Sequence, residues 1–245
     1  MAILTGRNVS KRFGGLHAIE RLDFSVEEGE VVGLIGPNGA GKTTLVNVIT
    51  GALQIDGGEI FLRDQRIDRL PPHHRNRLGI ARTFQIVRPF RGLTVRDNVL
   101  AGALYGRSER HWLLTRARER CLAVLEQVGL MAKADVPADR LTVADKKRVE
   151  LARALATGPE VLLLDEVMSG LTPTEVDEMM SLVQSVNRSG VTVVLIEHVM
   201  RAVMGISQRI VVLQNGRKLA EGLPAAVAAD DAVITAYLGR RAQGG

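Results

Sequence analysis

Gly36-Pro37-Asn38-Gly39-Ala40-Gly41-Lys42-Thr43-Thr44 decides how the rest of the chain is read. It fits G-x-x-x-x-G-K-[ST], the phosphate-binding P-loop. The flanks agree. Val31-Val32-Gly33-Leu34-Ile35 reads as a short buried strand, and Leu45-Val46-Asn47-Val48-Ile49 continues an apolar helix. A strand, a glycine turn and a helix N-terminus aim consecutive backbone N–H groups into one concavity that suits a polyphosphate. In that arrangement Lys42 reaches the β- and γ-phosphates, and the Thr43 hydroxyl is a ligand for Mg²⁺.

The 245 residues fit one large α/β domain or two small ones, and 46% hydrophobic residues are enough for a real core. No apolar run approaches the ~20 residues that span a bilayer. Met1-Ala2-Ile3-Leu4-Thr5-Gly6-Arg7 lacks the basic start, apolar stretch and cleavage site of a signal peptide, which points to the cytosol. A single cysteine, Cys121, excludes an intrachain disulfide and a cysteine-built metal site; beside Leu122 and Leu125 it reads as a packed thiol. Net charge +5 and a pI near 9.8 suit an anionic partner. Nucleic acid is disfavoured, because aromatics are only 3% and no basic stripe is interleaved with stacking residues.

Along the chain, 2–9, 18–26 and 31–35 are short apolar segments, with Glu27-Glu28-Gly29-Glu30 as a polar turn. They predict a small antiparallel layer leading into the P-loop strand. Strands are expected again at 59–62, 65–67 and 79–84, with a loop and short helix from Leu70. From 94 to 129 the pattern is helical, and 146–157 carries a one-sided apolar face. The order then becomes βαβ: an apolar strand 161–164, a helix from Pro173 to Arg188, and a second strand 191–196. Strands at 210–213 and 217–220 flank Asn215-Gly216, a hairpin signal, and 224–239 is Ala-rich and helical.

Leu162-Leu163-Leu164-Asp165-Glu166 sets two carboxylates at the end of a buried apolar strand, where open parallel sheets bind ligands. Asp165 suits Mg²⁺, and Glu166 suits the general base that activates water. With the P-loop, this acidic pair makes the chain resemble the ATP-binding subunits of ABC transporters, from Ile3 to Gly239. The resemblance implies an α/β P-loop NTPase core with an N-terminal antiparallel β layer and an inserted helical subdomain at about 87–157. It implies one ATP-binding domain over 1–245, with a C-terminal helical extension at about 224–239. Phe13 matches the aromatic that stacks on adenine. Gln85 matches the loop glutamine that touches Mg²⁺ and senses the membrane partner. His198 matches the switch histidine that contacts the γ-phosphate.

The family's signature segment, usually Leu-Ser-Gly-Gly-Gln, is here Leu141-Thr142-Val143-Ala144-Asp145, followed by Lys146-Lys147-Arg148. Thr142 keeps a hydroxyl and Ala144 a backbone N–H toward another subunit's γ-phosphate. Asp145 adds a negative charge there, which the three following cations are expected to offset. Arg82-Thr83-Phe84-Gln85, the run from Asp165 to Pro173, and Ala236-Tyr237-Leu238-Gly239 resemble the branch that energises importers of branched-chain and other hydrophobic amino acids. The implied ligands are ATP and Mg²⁺. The implied partners are a second ATP-binding subunit, identical or not, integral-membrane permease subunits and, indirectly, an extracytoplasmic solute-binding protein. The implied location is the inner face of the cell membrane. The alternatives are an ABC ATPase of a lipid-exporting system and a low-activity nucleotide-binding partner in a heterodimer.

Overall fold

The computed structural model describes residues 1–83, 89–90, 92–106 and 114–238. In chain order its strands are β1 (Ala2–Phe13), β2 (Leu16–Glu27), β3 (Val31–Ile35), β4 (Gly57–Leu62), β5 (Gln65–Arg66), β6 (Ile80–Arg82), β7 (Val161–Asp165), β8 (Thr192–Ile196), β9 (Arg209–Gln214) and β10 (Arg217–Gly222). Its α-helices are α1 (Lys42–Thr50), α2 (Pro72–Arg77), α3 (Val95–Tyr105), α4 (Leu114–Gln127), α5 (Val143–Ala156), α6 (Pro173–Arg188), α7 (Met200–Ile206), α8 (Pro224–Ala228) and α9 (Asp231–Leu238). The chain forms two compact units, Met1–Pro72 with Thr192–Gly245, and His73–Val191.

In the first unit, an antiparallel sheet runs in the order β2-β1-β4-β5. β1 and β2 outrun the apolar segments at 2–9 and 18–26, because the polar stretch on either side of Gly14-Gly15 keeps pairing, Lys11 with Ile19 and Phe13 with Leu16. The other strands of this unit lie in the order β10-β9-β3-β8. β3 is parallel to both β8 and β9, with Val31 opposite Val193 and Val32 opposite Arg209. Every residue of β3 and β8 is buried, as expected for parallel strands covered on both faces. α7 was not expected from the sequence. It packs on β3, where a Cβ at Gly33 would meet Val203 at 2.6 Å.

In the second unit β6 is parallel to β7, with Ile80 opposite Val161. α3, α4 and α5 pack together through Val95, Val99, Cys121, Leu125, Val149 and Ala152, all buried. The Arg120 guanidinium donates to the carbonyls of Ala156 (2.8 Å) and Leu155 (3.0 Å) in the last turn of α5. Cys121 is buried and its thiol is pushed up by burial, so it is a packing group. α6 spans its expected residues, with Pro173 in its first turn and a reciprocal cap between Thr172 and Glu175.

Two helices also differ from the sequence reading. α5 begins at Val143, not at 146, because the Thr142 side chain caps it by accepting from Asp145 N. The expected helix at 224–239 is two helices. The Asp230 carboxylate accepts from the N–H groups of Ala232 (2.8 Å) and Val233 (3.2 Å), which caps α9 and separates it from α8.

Candidate functional site

The P-loop joins β3 to α1, and its shape follows from its glycines. Gly41 has φ 105° and Gly36 φ 153°. A Cβ would meet the Ala18 carbonyl oxygen at 2.5 Å from Gly41 and the Leu213 carbonyl oxygen at 2.2 Å from Gly36, so a side chain at either position forces the backbone apart. The turn then delivers the chain into α1, whose first residue is Lys42. Lys42 is buried, and its ammonium donates to the carbonyls of Gly36 (2.6 Å) and Pro37 (3.1 Å). The cation is thus held over the loop, while Asn38, Gly39 and Thr43 are exposed and Thr44 is half-buried.

The loop is braced from two sides. Gly216, at the tip of the β9–β10 hairpin, donates its N–H to the carbonyl of Ala40 (3.0 Å). The Gly36 N–H faces the Tyr237 phenolic oxygen and lowers a pKa that burial raises. Pro37, Asn215, Asp231 and Thr235 share the groove between the loop and α9. The β1–β2 hairpin reaches the same loop through Ala18, and carries Phe13, 48% exposed, with the Lys11 ammonium 5.7 Å from its ring centre. A core role for Phe13 is therefore ruled out. His198 follows β8 and is exposed, and its N–H donates to the Glu197 carboxylate (3.3 Å).

In the second unit the acidic pair sits at the end of β7. Asp165 is buried, its N–H donates to Thr83 Oγ1 (3.1 Å), and its carboxylate lies 3.4 Å from the Arg82 guanidinium. Glu166 is half-buried in the left-handed region, at φ 52°. The buried Lys147 of α5 donates to the Glu166 carbonyl oxygen (2.9 Å), which fixes the backbone that carries the carboxylate.

The segment 141–145 corrects one expectation. Asp145 is buried, and its carboxylate accepts from Lys133 Nζ (2.5 Å) and from Thr142 Oγ1 (3.0 Å). Two of the expected trio are turned elsewhere. Lys147 is turned to the Glu166 carbonyl and Arg148 to Glu178. Ala144 lies in the first turn of α5, where N–H groups have no partner within the helix. Gln85 lies outside the described residues.

A family model described as ABC transporter matches residues 19–169. The chain belongs to the ABC transporter family. Within this family, a model described as branched-chain amino acid ATP-binding cassette transporter matches residues 217–243. The high-affinity branched-chain amino acid transport ATP-binding protein LivG of Escherichia coli (strain K12) is 41% identical over 250 residues, covering 97% of this chain and 98% of the relative. The lipopolysaccharide export system ATP-binding protein LptB of the same strain is 35% identical, covering 98% of each. Among solved structures, the ADP conformation of MJ1267, an ATP-binding cassette of an ABC transporter, superposes with TM-score 0.88 at 31% identity, covering 98% of this chain and 99% of that one. The dimeric structure of the bacterial ABC transporter cassette MJ0796 does so with TM-score 0.81 at 25% identity, covering 90% and 98%.

For this ABC protein, the donors read for Mg²⁺ that the structure describes are the Thr43 hydroxyl and the Asp165 carboxylate. Each is a hard oxygen, the kind of donor this ion takes, so the chemistry of each donor fits the ion. Sequence reasoning missed Lys133 and the roles of Lys147 and Tyr237 beside the ABC motifs. Only the last two had a local signal: Lys147 follows the signature, and Tyr237 lies in the branch-like ending.

Proposed function

We propose that this ABC protein binds and hydrolyses ATP to energise the import of branched-chain or other hydrophobic amino acids through a membrane permease. One observation carries the solute class: the branched-chain family model falls on 217–243, the segment that supplies β10, α8 and α9. In this reading 1–245 is one ATP-binding domain with a helical subdomain at about 87–157. It acts on the inner face of the membrane with a second ATP-binding subunit, permease subunits and, indirectly, a solute-binding protein. Among the described residues no helix is long and apolar enough to cross a membrane, so the pore is assigned to other chains.

In the mechanism, Phe13 stacks on adenine and the loop Gly36-Pro37-Asn38-Gly39-Ala40-Gly41 wraps the phosphates. Lys42 contacts the β- and γ-phosphates, and Thr44 lies on the same helix turn as Thr43. Thr43, Gln85 and Asp165 would hold Mg²⁺, which supplies charge neutralisation at the phosphoryl oxygens. Glu166 takes a proton from the attacking water, and His198 contacts the γ-phosphate. Thr142 and the Ala144 N–H of a second subunit close over the nucleotide, and the closed and open states alternate with ATP binding and hydrolysis. The lipid-export reading has the support of the 35% identity to LptB, below the 41% to LivG.

Reconstitution with the neighbouring permease and solute-binding protein in proteoliposomes tests the proposal. ATP-dependent uptake of labelled leucine, abolished by Glu166→Gln, is the expected result. ATP-driven lipid extraction without leucine uptake would overturn it.

A further inference from the structure

Asp145 introduces a carboxylate into the first turn of α5, and the structure shows what neutralises it. Thr142 and Asp145 close a small ring: Asp145 N donates to Thr142 Oγ1 (3.2 Å), and Thr142 Oγ1 donates to Asp145 Oδ2 (3.0 Å). The ammonium of Lys133 completes it from a 3-10 turn at Met131–Lys133. That turn is pinned to the start of α3, where Val95 N donates to the Val136 carbonyl (3.0 Å) and Arg96 N to the Ala134 carbonyl (2.8 Å). The Lys133 side chain is 48% exposed, but the Asp145 side chain is only 12% exposed, so the carboxylate sits where screening by water is weak.

A second carboxylate faces the same region. Glu175, in the cap of α6, feels both Asp145 and Arg148. Arg148 is already engaged by Glu178. Without Lys133, the Asp145 carboxylate would lose its cation beside the N–H groups that open α5, with Glu175 as a second anion nearby. A carboxylate there competes with an incoming phosphate for the helix's positive end.

We propose that Lys133 is a positioning residue of the nucleotide sandwich: it folds the Asp145 carboxylate into the α5 cap and cancels its charge, leaving the start of α5 receptive to another subunit's γ-phosphate. This rests on the reading of 141–145 as the segment that meets that phosphate.

The test is ATP-driven dimerisation by sedimentation velocity in a Glu166→Gln background, which stops turnover. Lys133→Met should raise the ATP concentration for half-dimerisation roughly tenfold, through carboxylate–phosphate repulsion. Lys133→Arg, which keeps the charge and guards against a folding defect in the Met variant, should stay within about twofold of the background. Lys133→Met with Asp145→Asn should return to within about threefold of it, which assigns the effect to the uncompensated Asp145 charge, while an unchanged single-subunit ATP affinity in Lys133→Met separates the sandwich from a general loss of structure. Unchanged dimerisation in Lys133→Met, or no rescue by Asp145→Asn, overturns the proposal. Thr142→Arg, in the same background, separates the two layers. If it dimerises normally, the reading of 141–145 falls with the proposal; if it is blocked while Lys133→Met is unaffected, only the role of Lys133 falls.

Discussion

Replacing Lys147 with Met tests how the backbone of Glu166 is held. The ammonium reaches the Glu166 carbonyl at 2.9 Å from a buried position. A hydrogen bond with a charged donor contributes about 1.5–3 kcal/mol. Glu166 sits at φ 52°, a conformation that costs a non-glycine residue about 1–2 kcal/mol. The bond is thus about as large as the strain it holds, and its loss lets the backbone relax. Met keeps most of the apolar stem, so packing is largely conserved. A net loss of about 1 kcal/mol lowers Tm by roughly 2–4 °C for a chain of this size. If the carboxylate shifts by about 1 Å, turnover falls up to ~10²-fold. We expect kcat to drop roughly 10–100-fold at unchanged ATP affinity, read by steady-state ATPase kinetics, fluorescent-nucleotide binding and thermal melting. A variant with lowered Tm and a kcat within about threefold of the parent would refute the reasoning, because the bond would then hold the fold and not the base.

Three further outcomes are expected. Glu166→Gln should keep ATP binding and lose ~10²–10⁴-fold in hydrolysis; parental turnover in that variant would remove Glu166 as general base. Phe13→Ala should weaken ATP binding by roughly 1–3 kcal/mol, taking base–aromatic stacking as the guide, with Phe13→Tyr nearly silent; equal affinity for Ala and Phe in a calorimetric titration would separate the ring from adenine. Tyr237→Phe removes the acceptor facing the Gly36 N–H and should weaken ATP binding by about 1 kcal/mol; an unchanged dissociation constant would leave α9 with no part in shaping the loop.

What the sequence made legible was local. The P-loop, the acidic end of β7 and the bounds of α6 each rest on a few consecutive residues whose backbone demands are strong: glycines at a tight turn, an unbroken apolar strand, Pro173 in a first turn. The apolar pattern puts the start of α5 three residues late, although Thr142-x-x-Asp145 is itself a cap pattern, because the same residues also fit a phosphate contact. The partner of Asp145 was not legible. Three cations follow it in sequence, yet helix geometry turns Lys147 and Arg148 to other acceptors, and Lys133 arrives from a turn that no periodicity announces. The bracing of the P-loop by Gly216 and Tyr237 joins residues distant in sequence, which no window of pattern reasoning spans.

The placement of β3 between β8 and β9 has a consequence during synthesis. Val31 pairs with Val193, and Val32 with Arg209, so both neighbours of this apolar strand are made about 160 or more residues after it. At about 5–20 residues per second the nascent strand waits roughly 8–30 s with both hydrogen-bonding edges open. Throughout that interval the β1–β2 hairpin, whose partners are adjacent in sequence, can already close. The strand that leads into the phosphate loop is therefore among the first made and among the last paired, and it is the segment of this chain most in need of shelter on the ribosome.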